Sequence, residues 1–230
     1  MELNKVIETI QRHRSIRKYT GPPSEEHLEA IVNSAIRAPT AWNLMPVSIQ
    51  VITDPQLLEA IGDAVGGQEH VKNAPVLLSF SVDYAKIIDA LDQLDIEKPS
   101  PTIEWAVTAA VDAGIMAGWA ALAAESLGYG VSFIALYSNP CRVAEILELP
   151  KRVIPLVGLV IGVPGEEPPV RSRVHSESVV GVNGYGKNSV EKARHIVDLY
   201  GSRAKRLLAY VAGRGGYLER VSAELRKCLE

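Results

Sequence analysis

The sequence predicts an α+β fold with a small central mixed sheet flanked by helices. Three observations carry that reading. Short helical and strand-like segments alternate along the 230 residues, only four stretches read as strands, and one alanine-rich helix far longer than the rest crosses the middle of the chain. One medium domain is the expectation at this length, and a hydrophobic content of 47% is enough for a packed core.

Leu3, Val6, Ile7 and Ile10 recur at helical spacing and predict a first helix ending near His13. Ser24, after Pro22-Pro23, caps a second helix carrying Leu28, Ile31, Val32 and Ala35, which stops before Pro39. Val47 to Thr53 is short and β-branched, hence a strand. Asp54-Pro55 sets an N-cap with proline at N1 for a helix ending at Gly66-Gly67. Val76 to Val82 is nearly apolar throughout, as expected of a strand buried on both faces. The long helix runs from about Ile103 to Leu127 and stops at Gly128.

Val131 to Leu136 is the third strand, and Asn139-Pro140 repeats the cap-plus-proline device ahead of a helix to Leu147. Ile154 to Val163 is the fourth strand. The loop from Pro164 to Gly186 holds three prolines and four glycines, so it is expected on the surface. Two further helices, about Val190–Leu208 and Tyr217–Leu229, complete the chain. With no repeat, low-complexity tract or linker, residues 1–230 read as one domain, of which about 187–230 is a helical extension.

The formal net charge of −3 argues against a nucleic-acid partner, which would call for a basic face. Cys141 and Cys228 lie far apart with no CxxC or Cys/His spacing, which excludes a disulfide framework or a zinc site and suits a reducing cytoplasm. The opening residues Leu3 to Glu8 lack the apolar core of a signal peptide. From Trp105 to Ala124 the one charge in 20 residues is Asp112. That stretch is long enough for a bilayer, but an Asp near its centre would cost roughly 2.5–3.5 kcal/mol there. A buried helix is the better reading. Ala109, Ala110, Ala113, Gly114, Ala117, Gly118 and Ala121 give it a surface of tiny side chains, which predicts a second subunit packed against it in a homodimer.

Four segments carry chemistry. His13-Arg14-Ser15-Ile16-Arg17 places three potential cations and a hydroxyl where a helix ends, suited to a phosphate or carboxylate; the alternative is a solvated basic turn. Arg171-Ser172-Arg173 repeats the pattern in the loop after the last strand, where a plain surface pair is the alternative. Asn43, between Pro39 and Pro46, is a turn residue or an amide reading the edge of a heterocycle. Ser132 to Leu136 is an apolar strand end, either core or the wall of a pocket. The glycines of Gly181 to Gly186 follow no strand and open no helix, so they are not a dinucleotide fingerprint. Arg203, Lys205 and Arg206 form a solvated basic face or an anion site.

Taken in order, His-Arg-Ser-Ile-Arg, then Ala-Pro-Thr…Asn…Pro, then Gln68 and Ala74-Pro75 before a strand, resemble the nitroreductase family of FMN enzymes. Asp112, the run Ala123 to Gly128, and Gly158 to Gly162 ahead of Arg171-Ser-Arg173 continue the resemblance, which spans roughly Val6 to Tyr185 and is nearest to the NADPH-preferring oxygen-insensitive nitroreductases and flavin reductases. The resemblance implies a nitroreductase-like fold with the flavin at a dimer interface. It implies that His13, Ser15, Arg171 and Arg173 hold the FMN phosphate, with Arg14 in the same segment. Arg17 and Asn43 would address the pyrimidine edge, Gln68 would contact flavin, and Ile134, Ala135 and Leu136 would line one flavin face. Met45, Val47 and the missing proline between Arg171 and Arg173 depart from the family pattern and bear on the shape of the pocket.

The implied activity passes reducing equivalents from NADPH or NADH, through non-covalent FMN, to a small planar acceptor such as a nitroaromatic, quinone or flavin, in two steps. No side-chain nucleophile is required; Arg17 is the electrostatic stabiliser of the reduced ring. The same fold with dehalogenation, flavin fragmentation or azoline oxidation is the alternative, as is a non-enzymatic redox sensor.

Overall fold

A computed structural model describes residues 4–98 and 103–229. The chain packs as two compact units, one comprising the residues to Pro168 together with those from Glu224, the other Pro169–Ala223. The division falls after β-sheet and core are complete, upstream of the expected extension at 187.

In the first unit the elements are α1 (Lys5–Gln11), β1 (Tyr19–Gly21), α2 (Glu25–Ile36), a 3-10 turn Ala41–Asn43, β2 (Val47–Ile52), α3 (Pro55–Ala64), α4 (Glu69–Lys72), β3 (Val76–Asp83), α5 (Ala85–Gln93), α6 (Ile103–Ser126), β4 (Gly130–Ala135), α7 (Pro140–Ile146) and β5 (Val153–Pro164). Local chemistry sets the helix starts. Ser24 Oγ accepts the His27 N–H at 3.2 Å and Asp54 accepts the Gln56 N–H at 2.7 Å. Asn139 does not cap. Its backbone is away from cap geometry, and its amide instead donates to Ala64 O at 3.2 Å.

The sheet order is β1-β5-β3-β2, with β4 also paired to β5. Every named strand pair is antiparallel; the parallel contribution among the described residues is one bridge between Ser15 and Val131. α2 and α6 cover one face, where Ile31, Phe80, Met116, Ala117 and Ile161 are buried together. α3 and α7 cover the other, around Leu58, Ile61, Leu77, Leu136 and Val160. β3 is buried at every residue, as its nearly continuous apolar run leads one to expect.

α6 is long and apolar enough to cross a membrane by length and composition. One of its faces, Ala109, Ala113, Ala117, Ala120 and Ala124, is buried completely against the sheet and α2. The opposite face stays outward: Val107, Val111 and Trp119 are about half exposed, and a Cβ built on Gly114 or Gly118 meets nothing within 4 Å.

The second unit contains a 3-10 turn Ser176–Ser178, α8 (Ser189–Tyr200), α9 (Ala204–Ala212) and the start of α10 (Tyr217–Leu229). The single helix expected over Val190–Leu208 is broken, because Gly201 turns to a positive φ of 51° and opens a 3-10 turn. The loop ahead of α8 is tied by Lys187 to Glu177 at 2.6 Å.

Candidate functional site

After α1 the chain runs extended through His13 to Arg17, and five contacts fix it. His13 Nδ1 lies 2.7 Å from Glu125 Oε1, in the last turn of α6. The Arg14 guanidinium donates to Glu167 at 2.7 Å. The Ile16 N–H donates to Val131 O at 2.9 Å, and the Arg17 N–H donates to Glu166 at 2.7 Å. Tyr19 Oη donates to Ile16 O, and burial raises its hydroxyl pKa well above the usual value. Alternation along this extended segment buries Ile16 over Gly130 and leaves the Arg17 side chain exposed.

Gln68 precedes α4 and donates its amide to Val65 O at 2.8 Å. One turn on, His70 has its pKa held below the ordinary 6.5, first by burial and then by the positive charge of Arg17, with Glu166 partly opposing. The charge of Arg17 therefore reaches α4, and His70 belongs to this neighbourhood although nothing in its spacing announced it.

The loop between α2 and β2 carries Asn43. Trp42, Asn43 and Met45 have φ of 50°, 57° and 47°, in the left-handed region that non-glycine residues enter at a cost of order 1–3 kcal/mol each. Asp112, 3% exposed in the middle of α6, accepts the Ala41 N–H with both carboxylate oxygens at 3.2 Å. The Met45 N–H donates to Thr40 Oγ1 at 3.3 Å. The one charge between Trp105 and Ala124 thus holds the end of a strained turn, with Asn43 exposed upon it.

At the end of β4, Ile134 and Leu136 are spent on the core. Of the three residues expected against a flavin face, Ala135 alone keeps side-chain surface, and Phe133 on the same alternation is 45% exposed.

In the second unit, Arg171, Arg173, Arg203 and Arg206 line one cavity of about 900 Å³ with Tyr200 and Tyr210. Four guanidinium groups and no carboxylate face it, which makes it a receptor for an anion carrying an aromatic or apolar group. The two arginine clusters, separate in the sequence, share this wall. Among the described residues no group of three or more His, Cys, Asp or Glu gathers for a metal.

Known proteins similar to this chain are numerous. The family described as the nitroreductase family matches residues 10–163. The chain is 40% identical over 181 residues to an NAD(P)H-dependent FMN reductase of Bacillus subtilis, covering 77% of this chain and 73% of that protein. It is 35% identical over 185 residues to the oxygen-insensitive NADPH nitroreductase of Salmonella typhimurium, covering 80% and 75%. The solved structure of a hypothetical oxidoreductase, YcnD from Bacillus subtilis, superimposes with a TM-score of 0.88 at 33% identity over 98% of both chains.

Proposed function

Because this chain belongs to the nitroreductase family, we propose that its ordered cationic segment and its four-arginine cavity hold FMN and the nicotinamide co-substrate. The chain is an NAD(P)H-dependent FMN oxidoreductase of the flavin reductase and nitroreductase type. Dehalogenation, flavin fragmentation, azoline oxidation and passive sensing are not favoured by those relatives.

The observation that carries the residue assignment is the fixed geometry of residues 13–17. Three carboxylates and the edge of β4 immobilise this stretch, so its donors are set in advance. The donor set fits a phosphate monoester, which carries about −1.5 to −2 charges at neutral pH. His13 and Ser15 supply donors toward it, while Arg14 is engaged with Glu167 and braces the segment. Within the second unit, Arg171, Arg173, Arg203 and Arg206 line one cavity with donors suited to a phosphate, of FMN or the 2′-phosphate of NADPH. Gln68 and Asn43 present amides to the edge of the ring.

The chemistry FMN supplies when bound is two-electron transfer from NAD(P)H to an acceptor. Arg17 stabilises the negative charge that develops on the ring, and it does so with little reorganisation because its backbone is already clamped. Ala135 and Phe133 offer the wall against which a flat ring lies.

A homodimer accounts for the outward face of α6, where two glycines and two valines leave room for another backbone. Trp119 from this helix also lines a groove with Lys5, Arg12 and Arg14. Nitroaromatics, quinones and free flavins are the acceptors this site suits, and the reducing cytoplasm is the compartment.

Anaerobic titration tests the reading. The reconstituted protein should be yellow, bleach on NADPH, regain colour on adding menadione, and release FMN on heating. A protein that retains no flavin from excess FMN would refute it.

A further inference from the structure

Trp42 is 82% exposed, on a turn where it and two neighbours are left-handed without being glycine. Its ring has no aromatic partner among the described residues, whereas Trp105 packs at 5.3 Å from Tyr84. Strain of this kind persists only where the surroundings over-determine it. Here they do so: buried Asp112 grips the Ala41 N–H directly before Trp42, and Thr40 closes the turn at Met45. A relaxed turn at this exposed position would need neither a buried carboxylate nor an outward indole. Strained backbone, its buried anchor and the exposed aromatic therefore belong to one device.

We propose that Trp42 selects the electron acceptor: its indole is a stacking platform for a flat, electron-poor ring, and Asp112 is the positioning residue that holds the platform. The proposal rests on the flavin-reductase reading, in which the adjacent Asn43 addresses the flavin. An indole face is electron-rich, so quinones and nitroaromatics gain from offset stacking on it beyond the area they bury. The side chain has few torsions to freeze, and the anchored backbone adds none, so the contact is made at low entropic cost. A non-planar acceptor gains nothing from such a surface.

The test compares Trp42→Ala, Trp42→Phe and Asp112→Asn with the parent in the FMN-loaded protein. Stopped-flow bleaching by NADPH reads the first half-reaction. Re-oxidation by menadione, nitrofurazone and octahedral ferricyanide reads the second. Trp42→Ala should raise KM for menadione and nitrofurazone by about 2- to 13-fold, the worth of one aromatic contact, with ferricyanide unaffected. Trp42→Phe should restore most of the loss, and Asp112→Asn should shift KM for the same two acceptors in the same direction. Equal changes with ferricyanide and menadione, no change with either, or loss of FMN from Trp42→Ala would overturn the proposal. If Asp112→Asn does not fold, the two Trp42 variants decide alone. Failure of the parent to bleach with NADPH would instead sink the flavin-reductase reading.

Discussion

His13 and Glu125 are joined across 112 residues of sequence by a 2.7 Å contact between an imidazole nitrogen and a carboxylate oxygen. The pair ties the end of α1 to the end of α6, and both side chains are largely covered, at 28% and 15% exposure. Burial raises the Glu125 pKa above its ordinary 4.5, and His13 offsets only part of that.

The sign of the consequence follows from that shift. A carboxyl whose pKa is raised by folding contributes stability below 4.5 and loses it as pH rises through the raised value. Glu125→Gln keeps an acceptor for His13 and removes the buried charge. Its melting temperature should therefore gain on the parent as pH goes from 4 to 7. Melts by circular dichroism at each pH measure this, and a constant difference would refute it.

Arg17 and Arg173 should fail differently. Arg173→Ala removes a phosphate donor equally present in both redox states, weakening FMN by about 1.5–3 kcal/mol, or roughly 10- to 150-fold, with near-normal reduction at saturation. Arg17→Ala should lower the flavin midpoint potential and slow bleaching by NADPH even at full FMN occupancy. It should also let the His70 pKa rise, since the Arg17 charge helps depress it. Stopped-flow kinetics and imidazole NMR titration check these outcomes. Unchanged bleaching in saturated Arg17→Ala would remove its electrostatic role.

Gly130→Ala tests the clamp on residues 13–17. A Cβ there would lie 2.7 Å from Ile16 Cβ, so either β4 or the segment must shift. The expected loss is about 1–3 kcal/mol by urea unfolding, together with weaker FMN binding. Full stability would show that Ile16 is free to move.

Gly118→Leu reads the dimer. Within one protomer a Cβ there meets nothing within 4 Å, and a helix gains roughly 0.8–1 kcal/mol on losing glycine. An isolated chain should be stabilised. A dimer closed over this face should be destabilised by about 1–3 kcal/mol through overpacking. A higher melting temperature with unchanged light-scattering mass would refute the proposed interface.

Much of the fold is legible because its signals are local. Ser24 and Asp54 announce their helices through their own side chains, and β3 announces double burial through a nearly continuous apolar run. β1 is not legible: three residues with no pattern of their own are strand only because the end of β5 pairs with them. α5 is only faintly legible: Ile87, Ile88 and Leu91 lie at helical spacing, but no capping side chain at Tyr84 marks its start. In the site, the basic residues were visible, but Glu125, Glu166 and Glu167 were not. Their partners lie more than a hundred residues away, and a carboxylate at a helix end or in a loop looks the same in sequence whether or not it grips anything. Ile134 and Leu136 are ambiguous for the opposite reason, since core and pocket wall share one composition.

The clamp on residues 13–17 also sets an order of events during synthesis. Its partners are Glu125, Val131, Glu166 and Glu167, the last two 149 and 153 residues downstream of Arg17 and Arg14. β2 and β3 can pair while the ribosome is still translating α6, because each is already made. The cationic stretch cannot settle until β5 has cleared the exit tunnel, so it waits as an unpaired tail through most of translation. Closing so distant a loop is slow. A nascent chain that ends before Glu166 lacks two of the carboxylates that fix this stretch.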